Sequence, residues 1–247
     1  MPISPNQGST GGGTTVTITG VNLGGATAVK FGTKSATITA NTPTSVTTIS
    51  PAGAGTVNVT VTTTGGTSNP LSFFYVGAPF EASLSADSGP TAGGNTITLE
   101  GTGLSTASSV AFGANTATPT VLSDSQIEVT VPAGTSAGSV AVSVTTAGGS
   151  SSGLSYTYVD APTVTTISPS SGATSGGTAV TLAGSDLTST TSVTVGGTVA
   201  PFTVVSSTTV SVVTPPGTAG AADVVVTTTG GSATVAGGFT YVSGPGI

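Results

Sequence analysis

Residues Ile167–Leu187 read ISPSSGATSGGTAVTLAGSDL, and the stretch occurs three times. The other copies are ISPNQGSTGGGTTVTITGVNL at Ile3–Leu23 and SADSGPTAGGNTITLEGTGL at Ser85–Leu104. From a lead glycine (Gly8, Gly89, Gly172) a second follows at +4 (Gly12, Gly93, Gly176). A third stands at +12 (Gly20, Gly101, Gly184), and a leucine at +15 (Leu23, Leu104, Leu187). Fixed spacing of this kind marks a repeated structural unit. After the glycines, Val16 and Ile18, Ile97 and Leu99, and Val180 and Leu182 alternate with polar residues, the period of a half-buried strand. The +12 glycines close that strand, where a positive φ is expected.

Each copy continues with short strands between Gly, Pro and Asn turns. Repeat 1 carries Val29 and Phe31, then Val57, Val59 and Val61, a Gly65-Gly66 turn, and a closing strand with Phe73 and Tyr75. Repeat 2 matches with Val110 and Phe112, then Val140, Val142 and Val144, Gly148-Gly149, and Tyr156 and Tyr158. Repeat 3 matches with Val193 and Val195, then Val224 and Val226, Gly230-Gly231, and Phe239 and Tyr241. Such spacing predicts an all-β chain of three antiparallel sandwiches, residues 1–77, 78–159 and 160–247. Linkers Gly77-Ala78-Pro79 and Asp160-Ala161-Pro162 are short and carry proline. They predict a semi-rigid rod of roughly 100 Å.

Composition narrows the chemistry. There is no Cys, His or Trp, and the two cations, Lys30 and Lys34, leave no Arg. Disulfides and thiolate metal sites are excluded. A net charge of −6 argues against nucleic acid, whose phosphates need cationic partners. No apolar run approaches the roughly 20 residues of a membrane helix, so membrane insertion is not expected. The N-terminus lacks the basic and apolar regions of a secretory signal.

The pattern G-x-x-x-G-G-T-x-V-T-I/L-x-G-x-x-L, an ISP-like turn before it and a V-x-F-G strand end after it, resembles the IPT/TIG family of immunoglobulin-like domains. The resemblance covers essentially the whole chain. It implies a β-sandwich used as a spacer, dimerisation or adhesion module. Repeat 2 departs with Ser85-Ala86-Asp87 in place of Ile-Ser-Pro, and repeat 3 with Val195 in place of Phe. The DNA-binding members use basic loops, which have no counterpart here.

No catalytic or cofactor-binding residue is expected. Asp124 and Glu128 are the nearest carboxylate pair in sequence, and their phase places them on solvated surface. Glu81, Asp87 and Asp160 stand near the repeat junctions and are the candidates for a calcium ligand set. The simpler reading is that Glu81 and Asp160 keep the linkers soluble. Repeat 1 has both lysines and no acid, so a lysine isopeptide bond is rejected. Phe80 is placed at a domain junction. Lys30 and Lys34 give repeat 1 a charge of +2, against −5 for repeat 2 and −3 for repeat 3, and are the candidate partner-binding residues.

These features point to a non-enzymatic structural or surface-display protein without cofactor. One form is a phage virion appendage (head fibre, decoration or tail component), which suits a start at Met1 without a signal; another is a subunit of an extracellular filament. Partners are then proteins of a capsid, tail, filament or cell surface, and the location is a virion surface or the extracellular space. The alternative is an excised stalk, or a glycan- or cell-binding module, of a bacterial surface adhesin.

Overall fold

The computed structural model describes residues 2–244, and among them every regular element is a strand. In the core strands, such as Thr15–Thr19 and Thr209–Val213, apolar residues at alternate positions are buried and leave threonines and serines between them. The chain falls into two compact units. One holds residues up to Ser85, Thr96–Thr130 and Ala141–Leu154; the other holds Ala86–Asn95, Val131–Val140 and the chain from Ser155 on.

In the first unit, repeat 1 pairs Thr15–Thr19 with Ile3–Ser4 on one side and Ser45–Ile49 on the other. Ala28–Phe31, Thr56–Thr63 and Leu71–Val76 make the facing ladder, and Gln7–Ser9 joins it parallel to Leu71–Val76. The strand Lys34–Thr42 belongs to both ladders. It pairs Ala36 with Val29 and Thr37 with Ile49, and its register shifts between Ile38 and Ala40. Repeats 2 and 3 break this crossing strand, at Asn115–Ala117 and Thr120–Ser123, and at Thr198–Val199 and Phe202–Ser206. Pro119 and Pro201 sit in the gaps, and a proline cannot donate to a ladder. Repeat 1 has no proline there and runs on unbroken.

The core of repeat 1 is Val16, Ile18, Leu23, Val29, Phe31, Val46, Val59, Val61, Phe73 and Tyr75. Phe73 sits edge-to-face against Phe31 at 5.0 Å and against Tyr75 at 5.2 Å. Each such side chain contributes roughly 1.5–3 kcal/mol by leaving water. Ile97, Leu99, Leu104, Val110, Phe112, Ile127 and Val129 are buried at the matching places of repeat 2, within the first unit.

The second unit contains repeat 3 whole. One sheet is ordered Thr163–Ser168, Ala179–Ser185, Thr209–Val213, Phe202–Ser206. The other is ordered Ser171–Ala173, Gly231–Val242, Gly220–Thr228, Thr190–Val195, Thr198–Val199. Their common core includes Val180, Leu182, Leu187, Val193, Val195, Val210, Val224, Phe239 and Tyr241. Val195 is buried where the other repeats carry Phe31 and Phe112. The three-residue strand at the lead glycine runs parallel to the closing strand in repeats 2 and 3 as well.

The glycine pattern has two physical causes. The +4 glycines adopt φ of 79°, 66° and 74°, and a Cβ there would press on backbone atoms near Pro51, Pro132 and Pro215. The expectation of positive φ at the +12 glycines is corrected, because none of them has it. At Gly101 and Gly184 the constraint is close approach: a Cβ would run into the carbonyl oxygens of Phe80 and Thr163 on the opening strand. The left-handed residue stands two places later, as Asn22 (58°), Gly103 (71°) and Asp186 (57°). Asn, Gly and Asp are the types that tolerate this conformation.

Candidate functional site

The charged side chains are dispersed and mostly committed to local structure. Lys30 is exposed on Ala28–Phe31, while the Lys34 ammonium donates to the Ala52 carbonyl at 2.7 Å. The Asp124 carboxylate accepts from the backbone amides of Gly103 (3.3 Å) and Ser105 (3.4 Å). The Ser105 hydroxyl first, then these amides, hold its pKa below the usual carboxylate range. Asp124 therefore braces the turn before Leu104, and Glu128 stays exposed between Thr98 and Thr120. The Asp223 carboxylate is likewise taken up by the Gly237 amide at 2.8 Å.

The junction acids do not converge. Among the described residues no three carboxylates stand together as a metal-ligand group. Asp160 accepts from the Thr91 hydroxyl at 2.7 Å, and Asp87 faces Ser88 at 3.4 Å. Glu81 is the surprise: it is buried, not a solubilising linker acid. Its Oε1 accepts the Val144 amide at 2.8 Å, while Oε2 and the Ser151 hydroxyl are both buried without a hydrogen bond of good geometry. Burial pushes the Glu81 carboxyl up; Ser151 and the amides of Val144, Leu154 and Gly153 oppose this. Burying a half-paired carboxyl is costly and disfavours its charged form. Phe80 beside it turns its ring outward and is 64% exposed.

The built feature is the way a linker is received. In the first unit, Phe80 and Glu81 pair with Thr102 and Gly101, and Gly77 and Ala78 lie on the hairpin turn Gly148-Gly149. The fit leaves no room at Gly148, where a Cβ would strike the Gly77 carbonyl. In the second unit, Thr163 and Val164 pair with Ser185 and Gly184, and Asp160 and Ala161 lie on Gly230-Gly231. A Cβ on Gly230 would strike the Asp160 carbonyl. Both receptions use the same positions of the repeat.

In repeat 1 the corresponding surface is an open groove of about 610 Å³, lined by Val21, Leu23, Pro43, Val61, Gly65 and Gly66, among others. Val21 is 76% exposed. A second groove, of about 720 Å³, lies in repeat 3 beside Val195, Thr198, Gly217, Asp223 and Tyr241. Two of its polar groups are engaged, Asp223 with the Gly237 amide and the Tyr241 hydroxyl with the Pro215 carbonyl. Residue-by-residue reading of the sequence missed the linker slot. Its signals were present in the Gly-Gly pairs and in the Pro three places after Val76 and Val159.

The IPT/TIG domain model matches this chain at residues 1–75, 79–158 and 162–241. Among solved structures, the plexin A4 extracellular region is 20% identical with a TM-score of 0.51, over 93% of this chain and 22% of that one. The Escherichia coli adhesin FdeC is 16% identical with a TM-score of 0.35, covering 95% of both chains. A Bacteroides ovatus SGBP-B, solved with a mixed-linkage heptasaccharide, is 18% identical with a TM-score of 0.30, over 96% of this chain and 65% of that one. The chain spans about a fifth to a third of the two plexin structures it matches. At 20% identity the plexin likeness speaks for the fold alone.

Proposed function

The chain belongs to the IPT/TIG family, and from that premise we propose that it is a non-enzymatic structural or display protein of a larger extracellular assembly. The assembly is a phage particle bearing it as a head fibre, decoration or tail component, or an extracellular filament. Domain boundaries fall at 77/78 and 159/160, where the linkers are received. The reception of those linkers is the observation that carries the reading. A close-fitting, glycine-dependent seat recurs at Gly148 and Gly230, so the sequence is spent on joining modules. The charged groups other than the buried Glu81, by contrast, brace turns or face solvent, and among the described residues no three acidic or other metal-ligating side chains come together. Lys30, with Lys34 close by, supplies a basic patch for an acidic support, which makes repeat 1 the attachment end.

A second reading, as the glycan-binding or stalk portion of a bacterial adhesin, has one observation in its favour. Phe80 exposes a ring of the kind on which a sugar face can stack. Fractionation separates the readings. Particles and filaments from the source, purified on a density gradient and probed with antibody to this chain, should carry it in constant ratio to their other proteins. Recovery only with the cell envelope, eluted by free glycan, favours the adhesin.

A further inference from the structure

One frame is built twice, once around a lysine and once without it. In repeat 1 the hairpin Phe31-Gly32-Thr33-Lys34 stands by the loop Pro51-Ala52-Gly53, and the Lys34 ammonium donates to the Ala52 carbonyl at 2.7 Å. The Tyr75 hydroxyl fastens that loop through the Pro51 carbonyl at 2.7 Å. In repeat 3 the hairpin is Val195-Gly196-Gly197-Thr198 and the loop is Pro215-Pro216-Gly217, fastened by Tyr241 to the Pro215 carbonyl at 2.6 Å. Gly32 and Gly196 donate their amides to the carbonyls of Asn58 and Asp223, at 2.7 and 2.8 Å, which fixes the correspondence. Three side chains differ. Val195 stands for Phe31, Thr198 for Lys34, and Asp223 for Asn58.

These exchanges take away bulk and a cation and bring in a carboxylate. The groove of about 720 Å³ lies here, lined by Val195, Thr198, Pro216, Gly217, Asp223 and Tyr241, among others. The Gly237 amide holds the Asp223 carboxylate by Oδ1 at 2.8 Å, and a carboxylate accepts more than one bond. Repeat 3 has no Lys or Arg of its own to neutralise it, and carries −3. On the structural reading above, we propose that this groove receives the lysine side chain of a partner protein in the assembly. The ammonium takes the place that Lys34 takes in repeat 1. It donates to the Asp223 carboxylate and to the carbonyl of Pro216, which stands where Ala52 stands. The alkyl stem lies along Val195 and the Tyr241 ring, as long cationic side chains do on apolar surface. An ammonium suits the site because it is a compact cation with three donors and no acceptor. Charge complementarity draws it in.

Repeat 1 supplies two substitutions that separate binding from folding. Thr198→Lys gives repeat 3 the lysine of repeat 1, and should fill the groove from within. Thr198 is exposed on the two-residue strand Thr198–Val199, so a longer side chain is accommodated. Asp223→Asn removes the charge, while its side-chain oxygen can still accept the Gly237 amide. Asn58 holds that place in repeat 1. Both variants should therefore fold like the parent and lose the ligand.

The test is a titration of the peptide acetyl-Ala-Lys-Ala-amide into the full chain at low salt, followed by amide NMR, beside the same peptide with norleucine for lysine. The lysine peptide should shift the amides of Gly196, Gly197, Thr198 and Asp223. One ammonium on a part-open site binds weakly, with a Kd on the order of 1 mM, and copies arrayed on one assembly bind collectively. Exchange to norleucine, Asp223→Asn and Thr198→Lys should each weaken binding by about fivefold or more, with the amide spectrum of repeats 1 and 2 unchanged. Equal binding of the norleucine peptide, undiminished binding in either variant, or shifts confined to other residues would overturn the proposal. A chain present on particles or filaments that binds no lysine peptide would refute this site alone and leave the structural reading standing. A chain that binds the peptide but occurs on no particle or filament would refute that reading and leave the site.

Discussion

Tyr241 donates its hydroxyl to the Pro215 carbonyl at 2.6 Å, and the same tie recurs from Tyr75 to Pro51 at 2.7 Å and from Tyr158 to Pro132 at 2.8 Å. Each ring lies over a glycine (Gly217, Gly53, Gly134) and edge-on to its aromatic neighbour two residues earlier. The tie fastens the loop after the Ser45–Ile49, Gln126–Thr130 and Thr209–Val213 strands to the closing strand. Burial raises all three hydroxyls above the ordinary tyrosine value, so they donate throughout the physiological range.

Replacing Tyr241 by Phe should leave the Pro215 carbonyl unpaired and cost about 1 kcal/mol, with the sandwich intact. Thermal unfolding checks this. A null effect would mean that water takes over the carbonyl.

Glu81 makes the chain's stability depend on pH in an unusual direction. Its folded pKa is raised by burial, so the folded state holds the proton more tightly than the unfolded one. Stability from this group is fully present below the ordinary carboxylate value and is lost as pH climbs from there through the raised one. Glu81→Gln should remove that dependence and stabilise the first unit at neutral pH by on the order of 1 kcal/mol, because an amide can pair with the Ser151 hydroxyl without burying charge. Denaturant unfolding of parent and variant across acidic to neutral pH measures it. Parallel curves would contradict the assignment.

Gly148→Ala and Gly65→Ala occupy equivalent turns and should behave oppositely. The first forces the Gly77 carbonyl aside and should cost roughly 1–3 kcal/mol; the second meets only the Thr63 hydroxyl, in ordinary contact, and should stay within about 0.5 kcal/mol of the parent. Chemical denaturation of the two proteins decides it. Equal effects would mean that the linker seat contributes nothing.

Charge reversal of Lys30 and Lys34 to Glu should reduce occupancy on native particles or filaments at low salt, on the order of two- to fivefold per lysine, with the loss shrinking as salt rises. A salt series of binding measurements follows this. Unchanged occupancy at low salt would remove the basic patch from the attachment.

The fold was legible because its determinants are local. Alternation at Val16 and Ile18 or Val224 and Val226 encodes strands, and the glycine spacing encodes turns. What escaped were features that depend on two distant segments meeting. Gly101 looked like a turn glycine, yet it is small because the Phe80 carbonyl crosses it. Glu81 looked like a solvated linker acid because nothing within a few residues says that the Val144 amide and Ser151 will enclose it. The break of the crossing strand at Pro119 and Pro201 was readable in principle from proline chemistry.

As proposed above, this chain is a building element of an extracellular assembly. Cryo-electron microscopy of the native particles or filaments, with antibody fragments against repeat 1 and repeat 3 as markers, tests it most directly. The account predicts tandem β-sandwich density at regular positions of the assembly, with repeat 1 at the attachment and the repeat 3 marker displaced from it. A chain recovered only as free monomer, with no density on any particle or filament, would contradict it.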